Sequence, residues 1–322
     1  MTRPALLLVP ALLLVPVLLL GGCAAPPPAA TPAPDALTVE NCGTTVTFDS
    51  PPQRVVTIKS TSTEMMLALG VGDRIVGTAF QDGPVPDVGA ADAAALTEIS
   101  DFMPSEEAVL EREPDLVYSG WESAFAADAT GERPELAALG VNSYVQPAAC
   151  RSADVPPKLT FDEVFREIQE AADIFGVSAD DLLAAQREEL AAITPDDRGL
   201  TALWYSSGED IPYVGAGLGA PELVLETVGL TNIAGDIDMT WSTFGWESIV
   251  AADPDVIVLI DADWNTADSK IALLESNPAT AALSAVQHHR YLVLPFPAGE
   301  AGVRTVSAAT SAAAQLAELD LP

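Results

Sequence analysis

Apolar positions along the chain fall into short runs bounded by turn residues and longer stretches at helical spacing, and one such unit occurs twice. Ser105-Glu106-Glu107-Ala108-Val109-Leu110-Glu111-Arg112-Glu113-Pro114-Asp115-Leu116-Val117-Tyr118 predicts a helix passing into a strand. Ser105 caps it, Glu106 and Glu107 occupy its first turn, and Pro114-Asp115 ends it before the apolar run. Residues 246–258 repeat the unit, with Glu247 matching Glu107 and Pro254 matching Pro114. A unit that returns predicts two similarly built halves, each with its own sheet.

The surrounding pattern agrees. Residues 37–39 and 44–48 predict a hairpin around Asn41-Cys42-Gly43, and residues 54–58 a buried strand. Thr61-Ser62-Thr63-Glu64 has capping-box spacing at the start of a helix that runs to Gly70, and residues 74–78 predict the next strand. Strand and helix keep alternating to a strand at 141–145, which argues for a parallel sheet covered on both faces. From Thr160 the period becomes helical for over thirty residues. Thr160 to Glu163 forms a second capping box, Gly176 stops that helix, and residues 178–194 predict another. Seventeen helical residues span about 25 Å, enough to bridge two lobes. The alternative is one core helix within a single domain, and the repeat on either side favours the bridge. Strands at 200–205, 256–260 and 291–295, a helix opened by Pro221, and a terminal helix over 306–319 complete the second half.

The amino terminus has a different character. Arg3 is followed by an apolar run over 5–20, broken by Pro10 and Pro16 and ending Leu20-Gly21-Gly22-Cys23. This resembles a lipoprotein signal (residues 1–22) with Cys23 as the lipidated residue; an ordinary secretory signal with a chance cysteine is the alternative. Residues 23–36 read as a Pro/Ala-rich tether. Cys42 and Cys150 are left either to pair as a disulfide in an oxidising compartment or to stay as two buried thiols.

Composition narrows the function. Forty-seven acids against 14 basic residues give a net charge of −33, which repels nucleic acid and anionic lipid. Enzymatic signals are weak. Gly215-Ala216-Gly217-Leu218-Gly219-Ala220 fits G-x-G-x-x-A but lacks the strand before it, and reads better as a close-approach turn. His288 and His289 are neighbours and cannot build a multi-histidine metal cage. Neither metal nor cofactor is expected, and no catalytic residue is assigned. A binder fits better, because ligands of doubly wound sheets sit at the carboxyl ends of strands. Those ends carry Lys59-Ser60-Thr61, Phe80, Phe102 and Trp121 in the first half, and Trp204-Tyr205-Ser206, Trp241 and the stretch from Phe296 to Arg304 in the second. Aromatic faces suit a planar or macrocyclic solute, and Lys59 and Arg304 suit an anionic one.

Residues 54–58 with Thr63-Glu64, 107–117 and 246–258 resemble the ABC-importer solute-binding proteins for iron-siderophores and cobalamin, over nearly all of the mature chain. The resemblance implies an α/β fold of class III: two Rossmann-like lobes (37–176 and 196–322) joined by a single long helix (177–195), with the ligand between them. It places Phe80, Phe102, Trp121, Tyr205, Trp241 and Arg304 in the cleft. It makes Glu107 and Glu247 the docking carboxylates, one per lobe, for an ABC permease and its ATPase; a favourable first-turn position on the helix dipole is the structural alternative. Asn41-Cys42-Gly43 with Cys150 resembles an actinobacterial branch. Residues 204–207 and 213–217 look like a subgroup proposed to import a precursor of the deazaflavin coenzyme F-420, a flat anionic phosphodiester. The expectation is a monomeric receptor, lipid-anchored to the outer face of the cell membrane, that captures such an anion or a siderophore chelate. Cobalamin or haem on the same fold is the alternative, and an extracellular enzyme the alternative from another class.

Overall fold

The computed structural model describes residues 36–85, 95–151 and 155–321. The signal segment, Cys23 and nearly all of the tether lie outside them. A hairpin, β1 (Leu37–Asn41) and β2 (Thr44–Phe48), precedes the first lobe. That lobe carries β3 (Val55–Ile58), α1 (Ser60–Ala68), β4 (Ile75–Ala79), β5 (Glu98–Ser100), α2 (Glu106–Leu110), β6 (Leu116–Ser119), α3 (Arg133–Ala138) and β7 (Asn142–Val145). Its strands form one all-parallel sheet in the order β5-β4-β3-β6-β7. Alternate residues feed two cores, as a parallel strand buried on both faces requires. Val55, Leu116 and Tyr118 join Met65, Met66 and Phe175 on one face, and Val56, Ile58 and Val117 join Val109 and Leu136 on the other.

Two helices follow. In α4 (Phe161–Phe175) the Thr160 hydroxyl accepts the Glu163 N–H while Glu163 reaches back to the Thr160 N–H, the predicted capping box. Gly176 ends it in the left-handed region at φ 66°, where a side chain would also run into Pro51. Then α5 (Asp180–Ala192) carries the chain across. Leu183 is buried in the first lobe's core, the Gln186 amide donates to the Val303 carbonyl at 2.9 Å, and the Asp196 N–H bonds the Val228 carbonyl.

The second lobe carries β8 (Thr201–Ser207), β9 (Tyr213–Gly215), α6 (Ala220–Thr227), β10 (Thr231–Asn232), β11 (Trp241–Thr243), α7 (Trp246–Ala252), β12 (Val256–Asp261), α8 (Ala267–Ser276), α9 (Ser284–Gln287), β13 (Tyr291–Pro295) and α10 (Thr305–Glu318). Here β8, β12 and β13 are parallel, but β9 and β11 extend the sheet antiparallel, which the pattern of apolar runs had not predicted. The glycine-rich run is a close-approach turn: a Cβ on Gly215 would strike Pro221, and one on Gly217 the Gly235 carbonyl. No dinucleotide cradle is needed to account for these glycines.

The duplicated unit is visible atom by atom. Glu113 and Asp253 take left-handed φ values of 49° and 43° just before each proline. Asp115 accepts the N–H groups of Gln53 and Arg54 at 2.8 and 3.0 Å, tying down the start of β3. Asp255 accepts the Thr201 N–H at 2.8 Å and its hydroxyl at 2.9 Å, tying down the start of β8. Cys42 and Cys150 are joined as a disulfide that pins the hairpin to the end of the first sheet.

Candidate functional site

The two sheets present the carboxyl ends of their strands to each other, and five loops meet there. Lys59 follows β3 at φ 78° and Phe80 follows β4 at φ 51°. Two adjacent non-glycine residues held in the left-handed region carry strain of about 1–3 kcal/mol each, the kind of cost that collects at binding sites. Trp121 follows β6, Trp264 follows β12, and Phe296 follows β13.

These side chains form an aromatic box around the Lys59 ammonium. Its Nζ lies 4.1 Å from the Phe80 ring centroid, 4.2 Å from Trp121, 4.4 Å from Phe296 and 5.7 Å from Trp264. The rings meet edge to face, with Phe80–Trp121 at 5.3 Å and Trp264–Phe296 at 5.2 Å between centroids. Lys59 is ion-paired to Asp82, and both side chains are wholly buried. The Ser60 hydroxyl accepts the Asp82 N–H at 2.7 Å, holding the carboxylate in place.

Further contacts cross between the lobes. Asp82 accepts the Trp264 indole N–H at 3.1 Å, and its carbonyl accepts the Asp263 N–H at 2.9 Å. Glu300 accepts hydrogen bonds from the Thr61 hydroxyl and the Trp121 indole. Arg304 holds Glu64 through two bonds, Nε–Oε2 at 2.6 Å and Nη2–Oε1 at 2.9 Å. Burial pushes the Glu300 carboxyl up to about 7; nearby Lys59 and its two hydrogen bonds pull it down, and Asp82 adds to the rise. Burial also raises Glu64, against the pull of Arg304.

Of the residues expected in the cleft, the structure brings together Lys59, Phe80 and Trp121. Phe102 stands at the mouth, 59 % exposed and edge-on to Phe80 at 5.4 Å. Arg304 is at the lobe junction, engaged with Glu64. Trp241 stacks on Tyr213 at 5.8 Å and packs against Gly299 of the Phe296–Gly299 turn. Tyr205 is a correction: it is 1 % exposed, its hydroxyl bonds the Gly208 carbonyl, and it packs on Trp246 on the far face of the sheet. Its neighbour Trp204 faces the core that Phe296 and Trp121 share, because successive strand residues point to opposite sides.

Asp82 and Trp264 lie outside the residues expected there, and Glu300 falls within the 296–304 stretch without a role of its own. Trp264 obeys the strand-end rule, applied to β12. Asp82 and Glu300 carry no sequence signal in so acidic a chain. Glu107 and Glu247 are exposed in the first turns of α2 and α7. Among the described residues no helix is long and apolar enough to cross a membrane.

Known proteins share this architecture. The chain is 25% identical over 254 residues to an uncharacterised ABC transporter substrate-binding lipoprotein of Bacillus subtilis, covering 76% of this chain and 73% of that one. It is 28% identical over 274 residues to a cobalamin-binding protein of Halobacterium salinarum, covering 80% of this chain and 65% of that one. Among solved structures, an ABC-type Fe3+-hydroxamate transport protein of Saccharomonospora viridis matches with a TM-score of 0.75 and 27% identity, over 87% of this chain and 98% of that one. A periplasmic binding protein of Veillonella parvula matches with a TM-score of 0.75 and 26% identity, over 87% and 97% of the two chains. The model of the periplasmic binding protein family matches residues 55–298, from the first strand of the parallel sheet to the turn carrying Phe296. Strand ends facing across a cleft, a helix between the lobes and this match over most of the chain agree: the protein belongs to the periplasmic binding protein family.

Proposed function

We propose that this protein is the extracytoplasmic substrate-binding component of an ABC importer, capturing a chelate-sized or cofactor-sized solute with a flat face between lobes 37–176 and 196–322. Residues 177–195 act as the connection, with only limited closure. The observation that carries the reading is the aromatic box, whose rings come from both lobes and therefore converge only across the cleft. The relatives described as ABC transporter substrate-binding and Fe3+-hydroxamate transport proteins support it. The role is one of binding and delivery, with no turnover.

For the ligand we propose a planar anion, either a siderophore-type chelate or the deazaflavin phosphodiester that residues 204–207 and 213–217 suggest. The rings supply stacking faces and Lys59 a cation. Lys59 and Arg304 each already face a carboxylate, so such a ligand has to displace one. Cobalamin is the second reading, favoured by the relative described as a cobalamin-binding protein. Phe102 lies where it can cover the outer edge of either. Cys23 is proposed as the lipid anchor, and the receptor as a monomer.

Glu107 and Glu247 are the proposed docking pair, one exposed acid on each lobe. Replacing both with alanine is expected to abolish stimulation of the transporter's ATPase while leaving ligand affinity unchanged; transport that survives the double change refutes the docking assignment. Tryptophan-fluorescence titration with ferric siderophores, the deazaflavin precursor and cobalamin identifies the ligand, and the absence of any saturable response refutes the receptor reading for these classes.

A further inference from the structure

The box is filled by part of the protein itself. Lys59 extends from the end of β3 into the space between the lobes, where Phe80 and Trp121 come from one lobe and Trp264 and Phe296 from the other. The arrangement resembles the cage by which aromatic rings recognise a bound organic cation. Its counter-ion, Asp82, is shared across the cleft, because the same carboxylate also accepts the Trp264 indole. The ammonium and its carboxylate thus hold the faces a ligand would need.

We propose that Lys59 is a tethered plug and Asp82 its internal counter-ion, so that the lobes shut on the lysine and a solute enters by evicting it from the rings. A solute with an anionic group takes Lys59 over from Asp82, which keeps its bonds from the Ser60 N–H and the Trp264 indole. Asp82 therefore sets a threshold: a flat molecule without such a group must displace the lysine and offers it no new partner. A buried ion pair adds little net stability when intact, yet removal of one member strands the other at high cost. This makes the pair suited to holding a cleft closed and releasing it on exchange. The eviction step rests on the anionic-ligand reading above, whereas the plug does not.

The plug is tested on ligand-free protein. The chain has three lysines: Lys59 and Lys270 are buried and Lys158 is about half exposed. Pulse labelling with an amine-reactive ester, read by mass spectrometry, is expected to modify Lys59 at least about tenfold more slowly than Lys158. Asp82→Asn is expected to raise Lys59 labelling to near that of Lys158 while leaving Lys270 protected. Small-angle scattering gives the second readout. Lys59→Met and Asp82→Asn are each expected to widen the particle, and the double variant, which removes both charges of the pair, to restore the compact form below neutrality, where Glu300 is protonated. Rapid labelling of Lys59 in the wild type, or single variants as compact as the wild type, overturns the proposal. Because no solute is present, either failure is separate from failure of the receptor reading, which the titration and the ATPase assay decide.

Discussion

Asp115 and Asp255 do the same work in the two lobes, accepting backbone N–H groups just before β3 and at the first residue of β8. Removing Asp255 takes the partner from the part-buried Thr201 N–H and hydroxyl at the base of a central strand, whereas the Gln53 and Arg54 N–H groups that Asp115 accepts are exposed and can turn to water. Asp255→Ala is therefore expected to cost about 1–3 kcal/mol in urea unfolding and Asp115→Ala less, neither altering affinity for the solute, since both lie at the end of the sheet away from the cleft. Two buried acids give a pH dependence. Burial pushes Glu167 up to about 7, opposed by its bond from the Gln146 amide, and Glu300 sits in the same range. An acid whose pKa is higher folded than unfolded binds extra protons in the folded state between those two values. Stability from these groups is thus greatest below about pH 4.5, falls as pH rises toward 7, and levels off above, by about 3 kcal/mol for Glu167. Chemical denaturation of Glu167→Gln across this range is expected to show a shallower decline. Glu300 adds a conformational consequence. It faces Lys59, Asp82, Thr61 and Trp121, and above neutrality it becomes an excess buried negative charge where Lys59 and Arg304 oppose Asp82 and Glu64.

Two helices that begin with the same lettering are used differently. Thr160 and Glu163 cap α4 reciprocally, and Thr160→Ala is expected to cost about 1 kcal/mol in thermal unfolding. Thr61 and Glu64 have the same spacing, yet α1 begins at Ser60 with no side-chain cap. Thr61 reaches Glu300 and Glu64 reaches Arg304, both in the opposite lobe. Thr61→Ala is therefore expected to leave unfolding of α1 unchanged and to loosen lobe closure, which scattering measures. Here lies the limit of what local pattern can reveal. Alternation, caps and the two Glu…Pro-Asp units disclosed the parallel sheets, the connecting helix and the strand ends that bear Lys59, Phe80 and Trp121. They could not tell a cap from a clasp, because both need a short polar group followed three residues later by an acid. Nor could they tell Trp204 from Tyr205, since a strand buried on both faces has no polar side to fix its phase. The short β9 and β11 escaped because glycine and two- or three-residue runs carry little periodicity.

At the scale of the molecule, the apolar seam is continuous while the polar one is discontinuous. Ala220, Ala301 and Val306 of the second lobe join the same core as Leu183 of α5 and Met65 of α1. This seam runs along the connection and favours small rocking over wide hinge opening. The contacts that close the mouth pair polar groups with ring edges: Arg304 with Glu64, Glu300 with Thr61 and Trp121, and Asp82 with Trp264, beside the ring contacts Phe80–Trp264 and Trp121–Phe296. The first lobe has a stronger restraint. Cys42–Cys150 closes a segment with a sequence separation of 108, worth about 5 kcal/mol in the chain-entropy account. Cys42→Ser with Cys150→Ser is expected to lower the urea midpoint substantially, and mass spectrometry without reduction reports the bond directly.

That bond also decides what a protease can do to the receptor. Its two ends lie within one lobe, so a cut anywhere between residues 42 and 150 leaves the fragments covalently linked and the particle at full mass until a reductant is added. A single cut in residues 177–195 lies outside the loop, and there nothing covalent holds the halves together. The same molecule thus stays covalently whole when nicked within a third of its length, yet a cut at its connecting helix parts the two lobes.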